Sequence, residues 1–437
     1  MIPTTARPRP VHKFGGVSLT DGAAVRRVGA ILAERVPDAP VAVVSAIEGV
    51  TSILDSVAQA AVEGRDELGV VRVRHRSLLA QLQLDPEMLN RHFAELATIL
   101  AAIRARKQLT ALERDHVLSF GERASARVVA AHLNDRGLRA VPIDAYDLGL
   151  LSDSNHGRAK VLSQSAERIR SALARFDGIP VITGFVAADE HGRLTTLGRN
   201  GSDLSAALIG EAIAASEVTF WKEVGGVMTA DPKLVPNARL LRSMSYAQAA
   251  EMTRHGAGVL HADAVRPLER AGIPGRVACV RQPSDAGTLV TRESGERFAR
   301  GVACRRGVTI AKLARAIGSG DRRVNAIAAL ERCGVDALHV EDHGAELLVV
   351  APWSDELGRA LLGLGLRVEL ERDLACVAVI GARSVAELDA ALLSGHVDVR
   401  ARWNSEPSAT PVFAVPSEQL ARAAQVVHAA VCETQLA

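Results

Sequence analysis

The sequence predicts an α/β protein with a central, mostly parallel sheet between layers of helices. Short apolar runs typical of buried strands alternate with longer runs of helical periodicity over about the first 290 residues. Two of these strands lead through glycines directly into a helix, as the βα units of parallel sheets do. After about residue 300 the strands and helices alternate in shorter units, which predicts a second, α+β region.

The composition is that of a globular protein with a large aliphatic core. The chain of 437 residues is 48% hydrophobic and 23% charged, but only 3% aromatic. Its net charge is +2 and no basic patch stands out, which argues against nucleic acid as a partner.

Several features bear on the compartment in which the protein works. No apolar run approaches the ~18 residues that a membrane span needs, so we expect no membrane partner. The segment Met1 to Pro10 lacks the apolar core of a signal peptide. The five cysteines are scattered and form no CxxC pair, which favours reduced thiols in a cytoplasmic protein.

The first strand, 11–14, carries Lys13 and ends in a glycine-rich turn that contains Gly15, Gly16 and Ser18. A helical run follows at 21–36. A strand, a Gly-Gly turn and a helix outline a phosphate cradle, across which Lys13 could meet a phosphate. The turn is not a Walker A loop, because no lysine in the chain is followed by Ser or Thr. The alternative is a strand-end charge in solvent.

Two further stretches carry polar groups next to apolar elements. Ser45 ends the strand-like run 40–45 and Thr51 follows it, at the strand end where open α/β sheets bind ligands. The mostly helical region 66–134 contains a polar, glycine-containing interruption at 118–122, where Glu122 could accept hydrogen bonds from an ammonium group. The alternatives are a strand end followed by a helix N-cap, and a carboxylate on a helix surface.

The stretch 195–203 is the one around which we expect a ligand site to form. It follows a strand at 180–186 and opens the apolar helical run 204–214. Arg199 can hold a carboxylate or phosphate through two bonds. Ser202 and Asp203 suit the first turn of the helix, where free N–H groups favour anions. The alternative is an ordinary turn with a surface arginine and an N-cap.

The strand 218–221 leads into a polar, glycine-containing segment with charges of both signs, which include Lys222, Glu223, Asp231 and Lys233. Lysines neutralise phosphates, and carboxylates bind Mg²⁺ directly or through water. The alternative is a polar hairpin.

The rest of the chain is predicted from its pattern alone. Helices are expected at 158–175, at 243–253 and near 263, strands at 140–143 and 276–280, and a linker at 281–300. Beyond the linker, the pattern is close to two successive βαββαβ modules, the second one clipped. These have strands at 307–311, 336–341, 345–350, 366–370, 374–380, 396–402 and 409–414, and helices near 322–333, 354–363, 384–393 and 416–431.

Taken together, the motifs resemble those of aspartokinases, members of the amino acid kinase superfamily. The family's Lys-Phe-Gly-Gly-Thr-Ser is similar to Lys13–Ser18, and its Ser-x-Gly-Glu to Ser119–Glu122. Its Thr-Thr-Leu-Gly-Arg-Gly-Gly-Ser-Asp is nearly Thr195–Asp203. Three further motifs follow the family's order, at Ser45–Thr51, Trp221–Lys233 and Gly256–His261.

The resemblance implies an amino acid kinase catalytic domain at 1–292 and degenerate tandem ACT-like regulatory and dimerisation domains at 300–437. The implied reaction uses ATP and Mg²⁺ to phosphorylate the side-chain carboxylate of L-aspartate, giving 4-phospho-L-aspartate. A homodimer is expected, because family members usually dimerise through their ACT modules.

The resemblance also implies a role for each matching residue. Lys13 and Asp203 are expected to be catalytic, and no protein ligand set for a metal is expected. The substrate would be bound by Ser45, Thr51, Glu122, Arg199 and Ser202, with Arg199 on the α-carboxylate and Glu122 on the α-ammonium. The nucleotide would be bound by Lys13, Gly15, Gly16, Ser18, Lys222, Glu223, Met228, Asp231 and Lys233.

This chain departs from the family pattern at several positions. Gly258 replaces a nucleotide-facing lysine, Met228 replaces a tyrosine, and Asn200 replaces a glycine of the central loop, where Asn tolerates positive φ. The glycine-rich effector loop of the second ACT module is reduced to residues 380–383. Two alternatives therefore stay open: a kinase for another acidic amino acid or aspartate derivative, and a catalytically weak amino-acid-binding regulator.

Overall fold

The structure is a computed structural model, and it describes residues 8–174, 176–258, 260–293, 301–314, 322–344, 346–382, 384–405 and 408–433. Val259, part of the predicted linker (294–300) and Arg383 of the reduced effector loop lie outside the described residues. Within these ranges, no helix combines the length and apolarity that crossing a membrane requires. The five cysteines are all unpaired thiols.

The helices and strands are numbered here in chain order. The helices are α1 (Gly22–Glu34), α2 (Val50–Val62), α3 (Leu68–Leu82), α4 (Asn90–Arg106), α5 (Ala111–Asp135), α6 (Ser165–Ala174), α7 (Gly201–Ala212), α8 (Tyr246–Arg254), α9 (Ala262–Ala271), α10 (Arg322–Arg332), α11 (Asp355–Gly363), α12 (Val385–Ser394) and α13 (Leu420–His428). The strands are β1 (Val11–Phe14), β2 (Val41–Val44), β3 (Ala140–Ile143), β4 (Leu151–Ser152), β5 (Ile179–Thr183), β6 (Val186–Asp189), β7 (Leu194–Thr196), β8 (Val218–Lys222), β9 (Ser243–Ser245), β10 (Gly275–Cys279), β11 (Thr288–Thr291), β12 (Gly301–Ala314), β13 (His339–Asp342), β14 (Glu346–Pro352), β15 (Val368–Ile380), β16 (Ala401–Ser405) and β17 (Thr410–Pro416).

The described residues form two compact units. The first comprises residues up to 227 together with 260–293, and the second comprises 228–258 together with the residues described from 301 onward. The predicted functional division, 1–292 and 300–437, stays a prediction.

The first unit is built on a sheet whose strands lie in the order β3-β5-β2-β1-β8-β10-β11. Every pair is parallel except β10 with β11. Strands β1, β2, β5 and β8 are buried along nearly their whole length, which is why their sequences read as continuous apolar runs. The predicted parallel sheet is confirmed, and the carboxyl ends of its central strands meet at one edge.

The two faces of this sheet are covered by different helices. Phe14, Ala42 and Val44 share one aliphatic core with residues of α1 to α5. On the other face, α7 packs on β1, β2 and β8, and α6 and α9 pack against α7. A small sheet, β4-β6-β7, leads into α7. Lys13 therefore points from β1 towards the helix that begins at Gly201.

The predicted interruption of the helical region at 118–122 is wrong, because α5 runs through it without a break. Gly121 serves packing instead of a turn. A Cβ atom at this position would lie 2.7 Å from Ala46 Cβ and would also touch Val50 and Leu54 of α2. The glycine lets α5 approach α2 and the end of β2 closely, and the approach brings Glu122 to the carboxyl edge of the sheet.

Three other predictions in this part of the chain need correction. The helix predicted at 158–175 begins only at Ser165, and Val161 before it forms an isolated bridge with Ser152. Within the predicted linker, residues 288–291 form β11, which pairs antiparallel with β10. The helix predicted at 243–253 begins only at Tyr246, because Ser245 caps it in a capping box with Gln248. Residues 243–245 form β9 instead.

The second unit contains one six-stranded sheet in the order β13-β14-β12-β15-β17-β16. The strands predicted at 366–370 and 374–380 are a single strand, β15, which continues through Asp373 at a φ of 59°. Its partner β12 shows register shifts around Gly307, where φ is 69°. The two predicted βαββαβ modules thus share two long strands, with α10 and α11 packed on one half and α12 and α13 on the other.

Candidate active site

A cavity of about 680 Å³ lies in the first unit, at the carboxyl ends of β1, β2 and β8 and at the start of α7. Nine residues predicted from the sequence line it, although they come from five separate stretches of the chain. They are Lys13, Gly16, Ser45, Thr51, Glu122, Arg199, Ser202, Asp203 and Lys222. The edge of a parallel sheet where strands end is the expected place for such a site.

The floor of the cavity is a carboxylate held between two ammonium groups. Lys13 Nζ lies 2.6 Å from Asp203 Oδ1, and Lys222 Nζ donates to Asp203 Oδ2 at 3.0 Å. Burial alone would raise the pKa of Asp203, but the two lysines lower it to about 2. Burial lowers the pKa of Lys13, Asp203 opposes that shift, and Lys222 adds to it. The cluster keeps a net positive charge at the end of β1 while Lys13 stays protonated.

The turn after β1 brings its backbone against the end of β2. A Cβ atom at Gly16 would lie 2.8 Å from the Ala46 carbonyl oxygen, so only glycine fits there. Gly15 lies next to Lys13 Nζ, and Ser18 is buried inside the short 3₁₀ helix Gly16–Leu19. Gly15 and Ser18 belong to the turn but do not line the cavity.

Glu122 is a buried carboxyl group that faces the cavity from α5. Burial raises its pKa to about 8, although hydrogen bonds from the backbone and the charge of Lys13 act in the opposite direction. At neutral pH the group is therefore mostly a neutral acid. A cation that enters the cavity beside it would shift it to the ionised form.

The loop before α7 carries Arg199, one of two exposed arginines that line the cavity, the other being Arg114. Gly198 and Asn200 both have positive φ, of 75° and 59°. Asparagine tolerates this conformation, so Asn200 can stand where the resemblance implies a glycine. Arg199 is exposed at the cavity, whereas Ser202 is buried against Gly184. The side chains of Arg199 and Asn200 are thus presented by a bent backbone.

Asp115 lines the cavity and was not singled out from the sequence. It is 1% exposed and accepts hydrogen bonds from Thr196 Oγ1 (2.6 Å), Thr196 N (3.1 Å), Gly157 N (3.0 Å) and His156 Nδ1 (3.0 Å). Its position seven residues before Glu122 places both carboxyl groups on one face of α5. This spacing is the sequence signal that could have found it.

The remaining predicted nucleotide residues are dispersed. Glu223 accepts a hydrogen bond from Arg281 Nε at 2.6 Å, beyond the ends of β8 and β10. Met228, Asp231 and Lys233 belong to the second unit, where Asp231 Oδ1 accepts from the Lys233 backbone N–H. Their part in a nucleotide site stays a prediction.

Comparison of the sequence with known proteins identifies the family. Residues 8–279 match the amino acid kinase family. Lysine-sensitive aspartokinase 3 of Escherichia coli (strain K12) is 32% identical over 394 residues, which are 85% of this chain and 86% of that relative. The chain belongs to the aspartokinase family. The resemblance inferred from the motifs is confirmed.

Other aspartokinases are similar over a smaller share of their length. Aspartokinase 1, chloroplastic, of Arabidopsis thaliana is 31% identical over 318 residues, which are 70% of this chain and 56% of the relative. The chain thus spans little more than half the length of that aspartokinase.

Solved structures of aspartokinases confirm the predicted fold class, an amino acid kinase fold followed by an ACT-like α+β region. E. coli aspartokinase III in complex with aspartate and ADP (R-state) has a TM-score of 0.81 and 26% identity, and the match covers 97% of this chain and 99% of that one. The same enzyme with lysine and aspartate (T-state) has a TM-score of 0.79 and 27% identity.

Proposed function

We propose that this aspartokinase-family chain transfers the γ-phosphoryl group of ATP to the side-chain carboxylate of L-aspartate, giving 4-phospho-L-aspartate. The observation that carries the proposal is the Lys13–Asp203–Lys222 cluster, in a cavity that Glu122 and Arg199 also line. Cations suit a transferring phosphoryl group, and a carboxyl group paired with an arginine suits an amino-acid head.

This reaction depends on the positioning of the reactants and on neutralisation of the phosphoryl charge more than on proton transfer. A carboxylate is already a nucleophile at pH 7, so the site needs no strong general base. Lys13 would neutralise the phosphoryl oxygens as charge develops on them, and Lys222 would add a second positive charge. Asp203 would keep both ammonium groups in place, and its low pKa keeps it ionised at every working pH.

Recognition of the substrate would fall to the residues around the loop before α7. Arg199 would take the α-carboxylate through its guanidinium fork, and Glu122 would take the α-ammonium. Ser45, Thr51 and Ser202 would place the reacting carboxylate in front of the phosphoryl group. The E. coli enzyme with aspartate and ADP, similar over nearly the whole chain, supports this choice of ligands.

The nucleotide would extend from the cavity towards Gly15, Gly16, Ser18 and Glu223, with Met228, Asp231 and Lys233 as further contacts. Mg²⁺ fits this site only as a companion of the phosphates. Both oxygens of Asp203 are engaged by lysines, and the searched residues contain no cluster of three His, Cys, Asp or Glu side chains. Mg²⁺ commonly keeps several waters and binds substrate phosphates, and it would bring charge neutralisation to the transfer.

Trapping the acyl phosphate tests the proposal. The purified chain is incubated with ATP, Mg²⁺, hydroxylamine and either L-aspartate or one of a panel of acidic amino acids and aspartate derivatives. We expect hydroxamate from L-aspartate at a rate well above the others. Turnover of a derivative alone would instead indicate a kinase for another acidic amino acid or aspartate derivative, with Asn200 as the first residue to examine. Amino-acid binding without any acyl phosphate would indicate a regulator.

We further propose that the chain works in the cytoplasm as a homodimer assembled through its ACT-like region. The unpaired state of all five cysteines is consistent with a reducing compartment. Light scattering of the purified chain tests the assembly, and a monomeric mass at working concentration would contradict it.

A further inference from the structure

Asp115 holds together two segments that are distant in sequence. Its Oδ2 accepts from the backbone of Gly157 and Thr196 and from His156, and its Oδ1 accepts from the Thr196 hydroxyl. Hydrogen bonds to an ionised or buried carboxyl group are among the stronger ones in proteins. A side chain on α5 thereby fixes the loop at 156–157 and the end of β7.

Both of these segments lead to Arg199. Thr196 precedes it by three residues, and the Thr196 carbonyl oxygen also accepts from the Ala159 N–H at 2.9 Å. The Gly157 carbonyl oxygen lies against Gly198, at 3.2 Å from where a Cβ atom would stand. Movement of either segment would move the peptide that carries the Arg199 side chain.

The Arg199 side chain itself has no other support. Among the residues that the structure describes, it makes no hydrogen bond or ion pair, and it is exposed. Its position is therefore set by the backbone of its loop. Glu122, the other group assigned to the amino-acid head, stands two turns after Asp115 on the same helix.

We propose that Asp115 is a positioning residue that fixes Arg199 relative to Glu122, and so determines how strongly the α-carboxylate of the amino acid is recognised. This inference rests on the proposed function. The site needs a preorganised guanidinium because a bidentate bond to a carboxylate tolerates little displacement. Asp115 supplies that preorganisation through the backbone it holds, since both of its carboxyl oxygens are engaged by residues 156–157 and 196.

The test compares L-aspartate with L-aspartate α-amide, which lacks the α-carboxylate charge. The variants are Asp115→Asn, Arg199→Ala and the double variant. For Asp115→Asn we expect KM for L-aspartate to rise at least tenfold, with kcat within about threefold and KM for ATP within twofold. The preference for L-aspartate over the amide should shrink by a similar factor. The double variant should be no worse than Arg199→Ala alone.

Two further variants separate positioning from folding. Asp144→Asn removes another buried carboxylate, one that binds Arg127 and lies outside the cavity, and should leave all these constants unchanged. Thr196→Val removes only the hydroxyl bond to Asp115 and should reproduce part of the KM effect, even if Asp115→Asn fails to fold. Calorimetric titration of L-aspartate without ATP provides a second readout that does not need turnover.

The outcomes distinguish this inference from the proposed function. An unchanged KM in Asp115→Asn and Thr196→Val, or an equal loss of kcat/KM on both substrates, would overturn the role of Asp115 alone. A wild-type chain that binds L-aspartate but does not phosphorylate it would overturn the proposed function, and the titrations would still decide on Asp115. Absence of both binding and turnover in the wild type would overturn both.

Discussion

The Lys13 ammonium group lies 2.6 Å from the Asp203 carboxylate, which joins the first strand of the chain to the first turn of α7. Both side chains are almost completely buried. A buried ion pair of this kind is costly to desolvate, and removal of one partner leaves an uncompensated charge. Such a pair at the edge of a parallel sheet is better explained by function than by stability.

The first prediction concerns the dependence of Lys13 on Asp203. Burial lowers the pKa of Lys13 and Asp203 opposes that shift, so Asp203→Asn should lower the pKa of Lys13 further. Lys13 then loses its proton at a lower pH, and the alkaline limb of the kcat profile should move down by at least one pH unit. The profile is measured between pH 6 and 10. The control is Asp189→Asn, a change at a buried carboxylate that pairs with Arg193. If the alkaline limb of the kcat profile lies at the same pH in both variants, Asp203 does not support the pKa of Lys13.

The second prediction concerns the free energy of unfolding and Glu122. Its folded-state pKa of about 8 lies above the ordinary value of 4.5, so the folded chain keeps a proton that the unfolded chain releases. Stability should therefore fall as the pH rises from about 4.5 to about 8, by roughly 1.4 kcal/mol per unit of pKa shift. Glu122→Gln should remove this loss while it weakens binding of L-aspartate.

Thermal unfolding of Glu122→Gln and the wild type at pH 5 and pH 8 tests this directly. The Tm advantage of the variant should be small at pH 5 and several degrees at pH 8. Glu87→Gln, at an exposed position, should show no such trend. If the difference in Tm between Glu122→Gln and the wild type is the same at pH 5 and pH 8, Glu122 is ionised at both.

The third prediction concerns close packing at Gly121. Alanine is normally the better helix former by about 1 kcal/mol. At Gly121, however, the new methyl group would meet Ala46 Cβ at 2.7 Å, so Gly121→Ala should destabilise the chain by about 1–3 kcal/mol. Gly69→Ala, near the start of α3 with nothing within 4 Å of the new atom, is the matched control and should not destabilise. Urea unfolding of both variants decides, and equal midpoints would show that the contact relaxes freely.

Features that depend on neighbouring residues could be predicted from the sequence, whereas features that depend on contacts between distant segments could not. The strand with Lys13 and the first turn with Asp203 are both strand–glycine–helix patterns, so their places at the sheet edge followed from neighbouring residues. Gly121 led to the wrong prediction of a helix interruption, because the glycine is needed for close packing against Ala46, a residue distant in sequence. Asp115 was missed for a similar reason, since its partners at 156–157 and 196 come together only in the fold.

The second unit shows the same limit. The pattern predicted two separate strands at 366–370 and 374–380, yet β15 continues because Asp373 takes a positive φ opposite the irregular pairing of β12. A bulge of this kind depends on the partner strand. The predicted helices lie where helices are found, but the strand predicted at 396–402 is β16 at Ala401–Ser405, and the strand predicted at 307–311 extends over Gly301–Ala314. The union of the strands into one sheet could not be read from either module alone.

The central claim is that Lys13 carries phosphoryl transfer to L-aspartate, and one comparison tests it most directly. Initial rates of hydroxamate formation from L-aspartate and Mg·ATP are measured for the wild type, Lys13→Met and the exposed-site control Lys107→Met. We expect the control to match the wild type, and Lys13→Met to lose activity about a thousandfold while it still binds L-aspartate in calorimetry. A Lys13→Met variant that keeps its fold and forms hydroxamate at a rate near that of the wild type would contradict the account.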